Sequence, residues 1–221
     1  MEIQITKDGS HTLVSKEFGE LYHSHNGSIQ EALHIFIKHG LEANSSKSIN
    51  IFEMGFGSGL NAILSYYYSK SNKVQVNYSS IEAYPIKTEI AKQLNYNDYI
   101  KEEEFDKDFN KLHLVKWDEE IKISNTFSLF KIHNTIETLD IETLDKVDII
   151  FYDAFAPTAQ LHLWEKDVLT KMYNLLKPGG FLITYCAKGV FKRTLKEIGF
   201  TIEALPGPIG KREITRAFRT N

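Results

Sequence analysis

Glu53 follows the apolar run Ile49 to Phe52 and precedes Gly55-Phe56-Gly57-Ser58-Gly59-Leu60-Asn61. Glycine at every second position lets the backbone turn sharply and come close to a ligand, where a Cβ would clash. The Gly-x-Gly-x-Gly spacing is not that of a dinucleotide loop, which reads Gly-x-Gly-x-x-Gly. It is not a Walker loop either, which needs a following Lys-Ser/Thr. A carboxylate at Glu53 repels a pyrophosphate and attracts an amino group or a sulfonium. Glu53, Gly55, Gly57, Gly59 and Asn61 therefore favour S-adenosylmethionine over NAD or ATP. A glycine-rich strand-to-helix turn without a ligand gives the same string.

Three more polar positions fall at the ends of apolar runs. Glu82 lies about 20 residues beyond the glycines, where an acid would take the two hydroxyls of a ribose. The amide of Asn134, in His133-Asn134, could read an adenine edge. Asp153 opens the string Asp153-Ala-Phe155-Ala-Pro157, a short stiff loop that would face the reactive end of the ligand. A carboxylate there could orient an amine or take its proton, and only the neutral amine has the lone pair that attacks a methyl sulfonium. Singly, each is equally well a helix cap or a solvated polar group; four polar residues at four successive strand ends point to one site. Histidines 23, 25, 34 and 39 lack cysteine partners and the HExxH spacing, so no metal is expected.

The elements that must carry these residues alternate. The patterning predicts strands over 49–53, 76–82, 127–133, 147–153 and 181–186, and two more over 200–205 and 213–218. Helices are expected over 61–68, 86–94, 164–176 and 190–198, the third stopped by Pro178-Gly179-Gly180. Continuous apolar runs in the strands fit a parallel sheet covered on both faces, hence a doubly wound, mostly parallel, Rossmann-like α/β fold. Residues 1–45 read as an extension packed on the core, with a hairpin near 3–21 and a helix near 29–39. Residues 46–221 read as a single structural unit. The charged, aromatic stretch 97–126 would decorate the sheet between its second and third strands.

The chain has 221 residues, one cysteine and net charge −3. A single cysteine gives no disulfide framework, and Cys186 reads as a core residue. No apolar run approaches a membrane span and the N-terminus is too polar for a signal peptide, so a cytoplasmic protein without a membrane partner is expected. From residue 186 onward, eight basic residues against three acidic give +5 and leave −8 for the rest. That segment is either an anion-binding face or ordinary solvated surface.

Together these strings resemble the methyltransferase domain of the MnmC family of bacterial tRNA-modifying enzymes, which also occurs as a stand-alone, MnmD-type protein. The matching strings include Glu53-x-Gly-Phe-Gly-Ser-Gly-Leu-Asn61, Asp153-Ala-Phe-Ala-Pro157 with Leu163-Trp164, and Pro178-Gly-Gly-Phe-Leu-Ile-Thr-Tyr185. Others are Ala187-Lys-Gly189, Gly210-Lys211-Arg212-Glu213 and, upstream, Tyr22-His23-Ser24. The resemblance spans nearly the whole chain. It implies a class I methyltransferase that moves a methyl group from S-adenosylmethionine to 5-aminomethyl(-2-thio)uridine at the tRNA wobble position. Asp153 would stand at the transfer centre, and the glycine loop with Glu82 would hold the cofactor. Phe155, Pro157, Lys188, Lys192, Arg193, Lys211 and Arg212 would meet the anticodon loop. The FAD-dependent oxidase half of the two-domain enzymes would be absent, so no FAD is expected. His133-Asn134 stands where the family often has Gly-Asp. The competing readings are a small-molecule amine methyltransferase or an aminopropyltransferase on the same fold, and a non-catalytic RNA-binding module.

Overall fold

A computed structural model describes residues 1–220; Asn221, the last residue of the basic segment, lies outside them. The chain opens with an antiparallel hairpin, β1 (Glu2–Ile5) and β2 (His11–Val14), and Val14 also bridges to Leu21. Helix α1 (Ser28–Ala32) runs on as π-helical turns over Leu33–Lys38. Then come β3 (Ser48–Met54), α2 (Leu60–Asn72), β4 (Gln75–Ile81), α3 (Thr88–Ala91), α4 (Phe105–Leu114), β5 (Glu120–Lys122) and β6 (Phe127–Ile132). The second half holds β7 (Val147–Tyr152), α5 (Lys166–Leu175), β8 (Leu176–Thr184), α6 (Gly189–Ile198), β9 (Phe200–Pro206) and β10 (Glu213–Arg219).

Eight strands form one sheet in the order β5-β6-β4-β3-β7-β8-β10-β9. The five from β6 to β8 are parallel; β5, β9 and β10 join antiparallel at the two edges. Successive side chains point to opposite faces, both of which are covered; β7 is apolar but for Asp148, whereas β4 departs from the continuous apolar run expected and carries Gln75, Asn77, Ser79 and Ser80. Ile49, Ile51, Ile149 and Phe151 enter the core under α2, α4 and the N-terminal helix. Phe52, Met54, Ile150 and Tyr152 enter the core under α5 and α6. Helix α5 buries Val168, Leu169, Met172 and Leu175, and α6 buries Phe191 and Leu195. These one-sided spacings make the covering helices amphipathic. Among the described residues no helix is long and apolar enough to cross a membrane.

Two elements differ from the sequence expectation. The helix expected over 86–94 shrinks to Thr88–Ala91, because Gln93 and Leu94 donate to carbonyls three residues back and the chain tightens into turns. Pro178-Gly179-Gly180 does not separate α5 from its strand. Helix α5 ends at Leu175, and the three residues lie inside β8 as a bulge between the pairs Val147–Leu176 and Ile149–Phe181. A Cβ at Gly180 would sit 2.9 Å from the Asp148 carbonyl oxygen, so only glycine lets the bulge lie flat on β7. In the stretch 97–126, α4 stacks Phe105 against Tyr67 of α2, and β5 extends the sheet edge. Cys186 is buried, as expected.

Candidate active site

The strand order reverses between β4, β3 and β7, the place where open α/β sheets bind ligands beyond the strands' carboxyl ends. A cavity of about 370 Å³ opens there, lined by Glu53, Gly55, Gly57, Asn61, Glu82, Asn134, Asp153 and Phe155. The glycine loop leaves β3 with Gly55 and Phe56 both donating to the Ile81 carbonyl, at 3.0 and 3.2 Å. Gly57 has φ +51°, and a Cβ on it would lie 3.2 Å from the Tyr22 ring; at Gly59, φ +78°, it would lie 2.8 Å from His113 Nε2. Both positions need glycine for backbone conformation and for space. Gly59 itself caps α2 behind the cavity lining.

Glu82 holds this loop from the neighbouring strand end. Its Oε2 accepts the Gly57 N–H at 2.9 Å and its Oε1 accepts the Tyr84 N–H at 2.9 Å. Burial pushes its carboxyl above the ordinary range while those two donors pull it down. Asn134 spends its Oδ1 on the Thr135 N–H (2.8 Å) and the Thr138 hydroxyl (2.6 Å), leaving its amide N–H groups for the cavity.

Two acids meet around Asn61. Glu53 is 1% exposed, and its Oε2 accepts the Ser80 hydroxyl at 2.7 Å. Asn61 Nδ2 donates to Asp153 Oδ2 at 2.9 Å, whereas its buried Oδ1 and the buried Tyr78 hydroxyl have no partner. Burial raises Glu53 to about 8, opposed by Ser80 and reinforced by the charge on Asp153. Asp153 is half-buried and faces the cavity. Burial first, and Glu31 second, raise it to about 7, against the Asn61 hydrogen bond and the Lys211 charge. The loop after Asp153 is pinned by Tyr185, whose hydroxyl donates to the Ala154 carbonyl at 2.8 Å, and by Trp164 Nε1 to the Phe155 carbonyl at 2.8 Å. Pro157 lies outside the cavity lining.

Sequence reasoning missed one wall. Ser15, Phe18, Tyr22 and His23 of the N-terminal extension also line the cavity. The Phe155 ring stands edge-on to Tyr22, with centroids 5.0 Å apart, and 5.3 Å from Phe18. Burial lowers His23 to about 4, so its ring is neutral, between the Thr12 hydroxyl at 3.2 Å and the Ser58 hydroxyl at 3.4 Å. The Tyr22-His23-Ser24 string was the available signal, but nothing in its spacing shows that the extension folds over the cavity.

None of the basic residues Lys188, Lys192, Arg193, Lys211 and Arg212 lines the cavity. Half of the +5 segment is engaged within the protein. Lys192 pairs with Glu213 at 2.6 Å, Lys211 with Glu31 and Arg216 with Glu203 at 2.7 Å, and Arg219 donates to backbone carbonyls. Lys188, Arg193, Lys196 and Arg212 are exposed and have no ion-pair partner among the described residues.

The family described as S-adenosyl-L-methionine-dependent methyltransferase matches residues 89–220, well over half of the chain. The chain belongs to this methyltransferase family. It is also similar to the tRNA 5-methylaminomethyl-2-thiouridine biosynthesis bifunctional protein MnmC of Leptospira interrogans, 31% identical over 92% of this chain and 33% of that one. The MnmC of Cupriavidus necator is 27% identical over 92% of this chain and 32% of its own. The chain thus spans about a third of the length of these relatives. Among solved structures, MnmC2 from Aquifex aeolicus superimposes with TM-score 0.76 at 26% identity, covering 99% of this chain and 70% of that one. A class I S-adenosylmethionine-dependent methyltransferase of Listeria monocytogenes shares the fold, with TM-score 0.54 at 14% identity. The doubly wound class I methyltransferase fold expected from the sequence is therefore the observed one.

Proposed function

We propose that this methyltransferase transfers a methyl group from S-adenosylmethionine to the amine of 5-aminomethyl(-2-thio)uridine at the wobble position of tRNA. The observation that carries the proposal is the half-buried Asp153, bonded to the buried Asn61 beside the buried Glu53 at the cavity, in a chain that resembles MnmC proteins over nearly its whole length. The cavity suits the cofactor. Glu53 is a buried carboxyl with no cationic partner among the described residues, Asn61 Oδ1 is an unmatched acceptor, and the glycine loop offers backbone where a Cβ would collide. Glu53 and Asn61 would hold the cationic end of the cofactor, Glu82 its ribose and Asn134 its adenine. Bound S-adenosylmethionine supplies an electrophilic methyl on a sulfonium.

The residues of the chain do the rest. Asp153, raised to about 7, is ionised in a large fraction of molecules near neutral pH and can still accept a proton. It holds the acceptor amine by hydrogen bonding and takes the proton that leaves nitrogen as the N–C bond forms. Asn61 fixes the carboxylate's direction through its 2.9 Å bond. Phe155, backed by Tyr22 and Phe18, offers an aromatic surface to a planar base. An anticodon loop is single-stranded, and its bases splay out easily. Exposed Lys188, Arg193 and Arg212 are free to meet its phosphates. A displacement at carbon by an amine balances without an oxidant or reductant, so the proposed reaction needs neither FAD nor a metal.

The test is incorporation of labelled methyl from S-adenosylmethionine into tRNA from cells that lack the methylated nucleoside, with free polyamine as the competing acceptor. Saturable labelling of the tRNA supports the proposal. Labelling of the polyamine alone overturns it in favour of a small-molecule amine transferase.

A further inference from the structure

We propose that Lys211 is a positioning residue for Asp153 and not an RNA contact: with Glu31 and Tyr185 it clasps both ends of the chain onto the Asp153 loop. The inference rests on Asp153 being the acid that holds the acceptor amine. The Lys211 side chain keeps only 27% of its exposure, and its ammonium hydrogen-bonds to Glu31 Oε1. The same ammonium lies 4.1 Å from the centre of the Tyr185 ring. Tyr185 donates its hydroxyl to the Ala154 carbonyl at 2.8 Å, one residue beyond Asp153. Glu31 is 9% exposed, and its Oε2 accepts the Ser24 N–H at 2.7 Å. A run of direct contacts thus leads from α1, through the β9–β10 turn, to the backbone that carries Asp153.

The turn is built to seat Lys211 there. Gly210 has φ +88°, and a Cβ on it would fall 2.0 Å from Asn26 Nδ2, so the turn lies directly on the extension. His34 Nε2 and the Pro206 carbonyl oxygen, 2.8 Å apart, make a second attachment. A lysine already paired with a buried carboxylate and laid on an aromatic face has little to offer a phosphate. Moving it out would leave the buried Glu31 carboxylate with the Ser24 N–H but without a cationic partner. Arg212, the next residue, is exposed and unpaired among the described residues. Adjacent basic residues thus serve opposite ends: one faces the protein, the other solvent.

Asp153 is surrounded by groups from every neighbouring element. They are Glu53 of β3, Asn61 of α2, Tyr78 of β4, Tyr96 from the turn after α3, Tyr185 after β8, Glu31 of α1 and Lys211. After burial, Glu31 raises Asp153 and Lys211 lowers it, so removing either partner must move the acidic limb of the pH–rate profile in opposite directions.

The experiment compares methyl transfer to tRNA by the wild-type chain and by Lys211→Met, Lys211→Arg and Glu31→Gln. kcat, the tRNA KM, its salt dependence and the pH profile are measured, with Asp153→Asn as reference. Lys211→Met should lower kcat by about tenfold or more, as a small misplacement of a reacting group does, and leave the tRNA KM and its salt slope unchanged. Its acidic limb should rise by about half a pH unit or more, that of Glu31→Gln should fall, and Lys211→Arg should regain most of kcat. If Lys211→Met does not fold, the Glu31→Gln limb and the Lys211→Arg rate still decide. A raised tRNA KM with a flattened salt slope and an unmoved limb would overturn the proposal in favour of an RNA contact. Clasp variants that behave like wild type while Asp153→Asn is inactive would sink the clasp alone. A fully active Asp153→Asn would sink the reading of Asp153 on which the clasp depends.

Discussion

Cofactor binding should expel a proton from Glu53. In the ligand-free protein this carboxyl is 1% exposed and is raised from 4.5 to about 8, chiefly by burial. That shift makes ionisation of Glu53 cost roughly 5 kcal/mol more than in water, and near pH 7 about nine-tenths of the molecules hold the proton. A cation placed against the group favours the charged form and returns it toward the ordinary carboxylate range. Calorimetric titration with S-adenosylmethionine near pH 7, in two buffers of different protonation enthalpy, should therefore show close to one proton released from Glu53 per site. The release should fade as the pH passes well above 8. Affinity should weaken as pH falls below that value, since the proton and the cofactor compete. Glu53→Gln removes this share and flattens the pH dependence. Stability follows the same linkage. The folded-state value lies above the unfolded one, so the stability contributed by the protonated form is complete below about 4.5 and is lost as pH rises through about 8. The ligand-free protein should then melt lower near pH 9 than near pH 6 on this account, and the cofactor should shrink the difference. No proton release near pH 7, or the same release from Glu53→Gln, would show that Glu53 is not the group that loses its proton to the cofactor.

Asp153→Asn should reduce methyl transfer by about 10² to 10⁴, the usual loss when a positioned acid–base group is removed, with S-adenosylmethionine still bound in calorimetry. Gly57→Val must adopt φ +51° with its Cβ 3.2 Å from the Tyr22 ring, so it should lose both cofactor affinity and about 1–2 kcal/mol of stability by thermal melt. Reversing Arg193 and Arg212 to glutamate should raise the tRNA KM and flatten its salt dependence, because fewer counterions are released on binding. S-adenosylmethionine affinity, read in the same preparations, should not change.

The strand ends were legible because each couples a hydrophobic, strand-forming run to a polar residue at its carboxyl end. Ile49 to Glu53 and Val147 to Asp153 show both the buried strand and the acid it carries at or just past its end. The glycine loop was legible because its left-handed conformations leave few residue choices. What escaped depends on contacts distant in sequence. Pro178-Gly179-Gly180 signals a break, and only the close approach of β7 turns that break into a bulge within β8. The wall made by Phe18, Tyr22 and His23 depends on where the N-terminal hairpin lands. The basic C-terminal segment reads as one charged face, yet Lys192, Lys211 and Arg216 find carboxylates on Glu213, Glu31 and Glu203. Charge counted along a chain carries no information about such pairing.

On the proposed function, the Asp153 cavity places a methyl group on the aminomethyl nitrogen of a wobble uridine. Nucleoside mass spectrometry tests it most directly, on tRNA bearing 5-aminomethyluridine or its 2-thio form, digested after incubation with S-adenosylmethionine and either wild type or Asp153→Asn. Wild type should convert this nucleoside to its N-methyl derivative and leave all others unchanged, while the variant leaves it unmethylated. Methylation of any other nucleoside, or equal conversion by the variant, would contradict the proposed function.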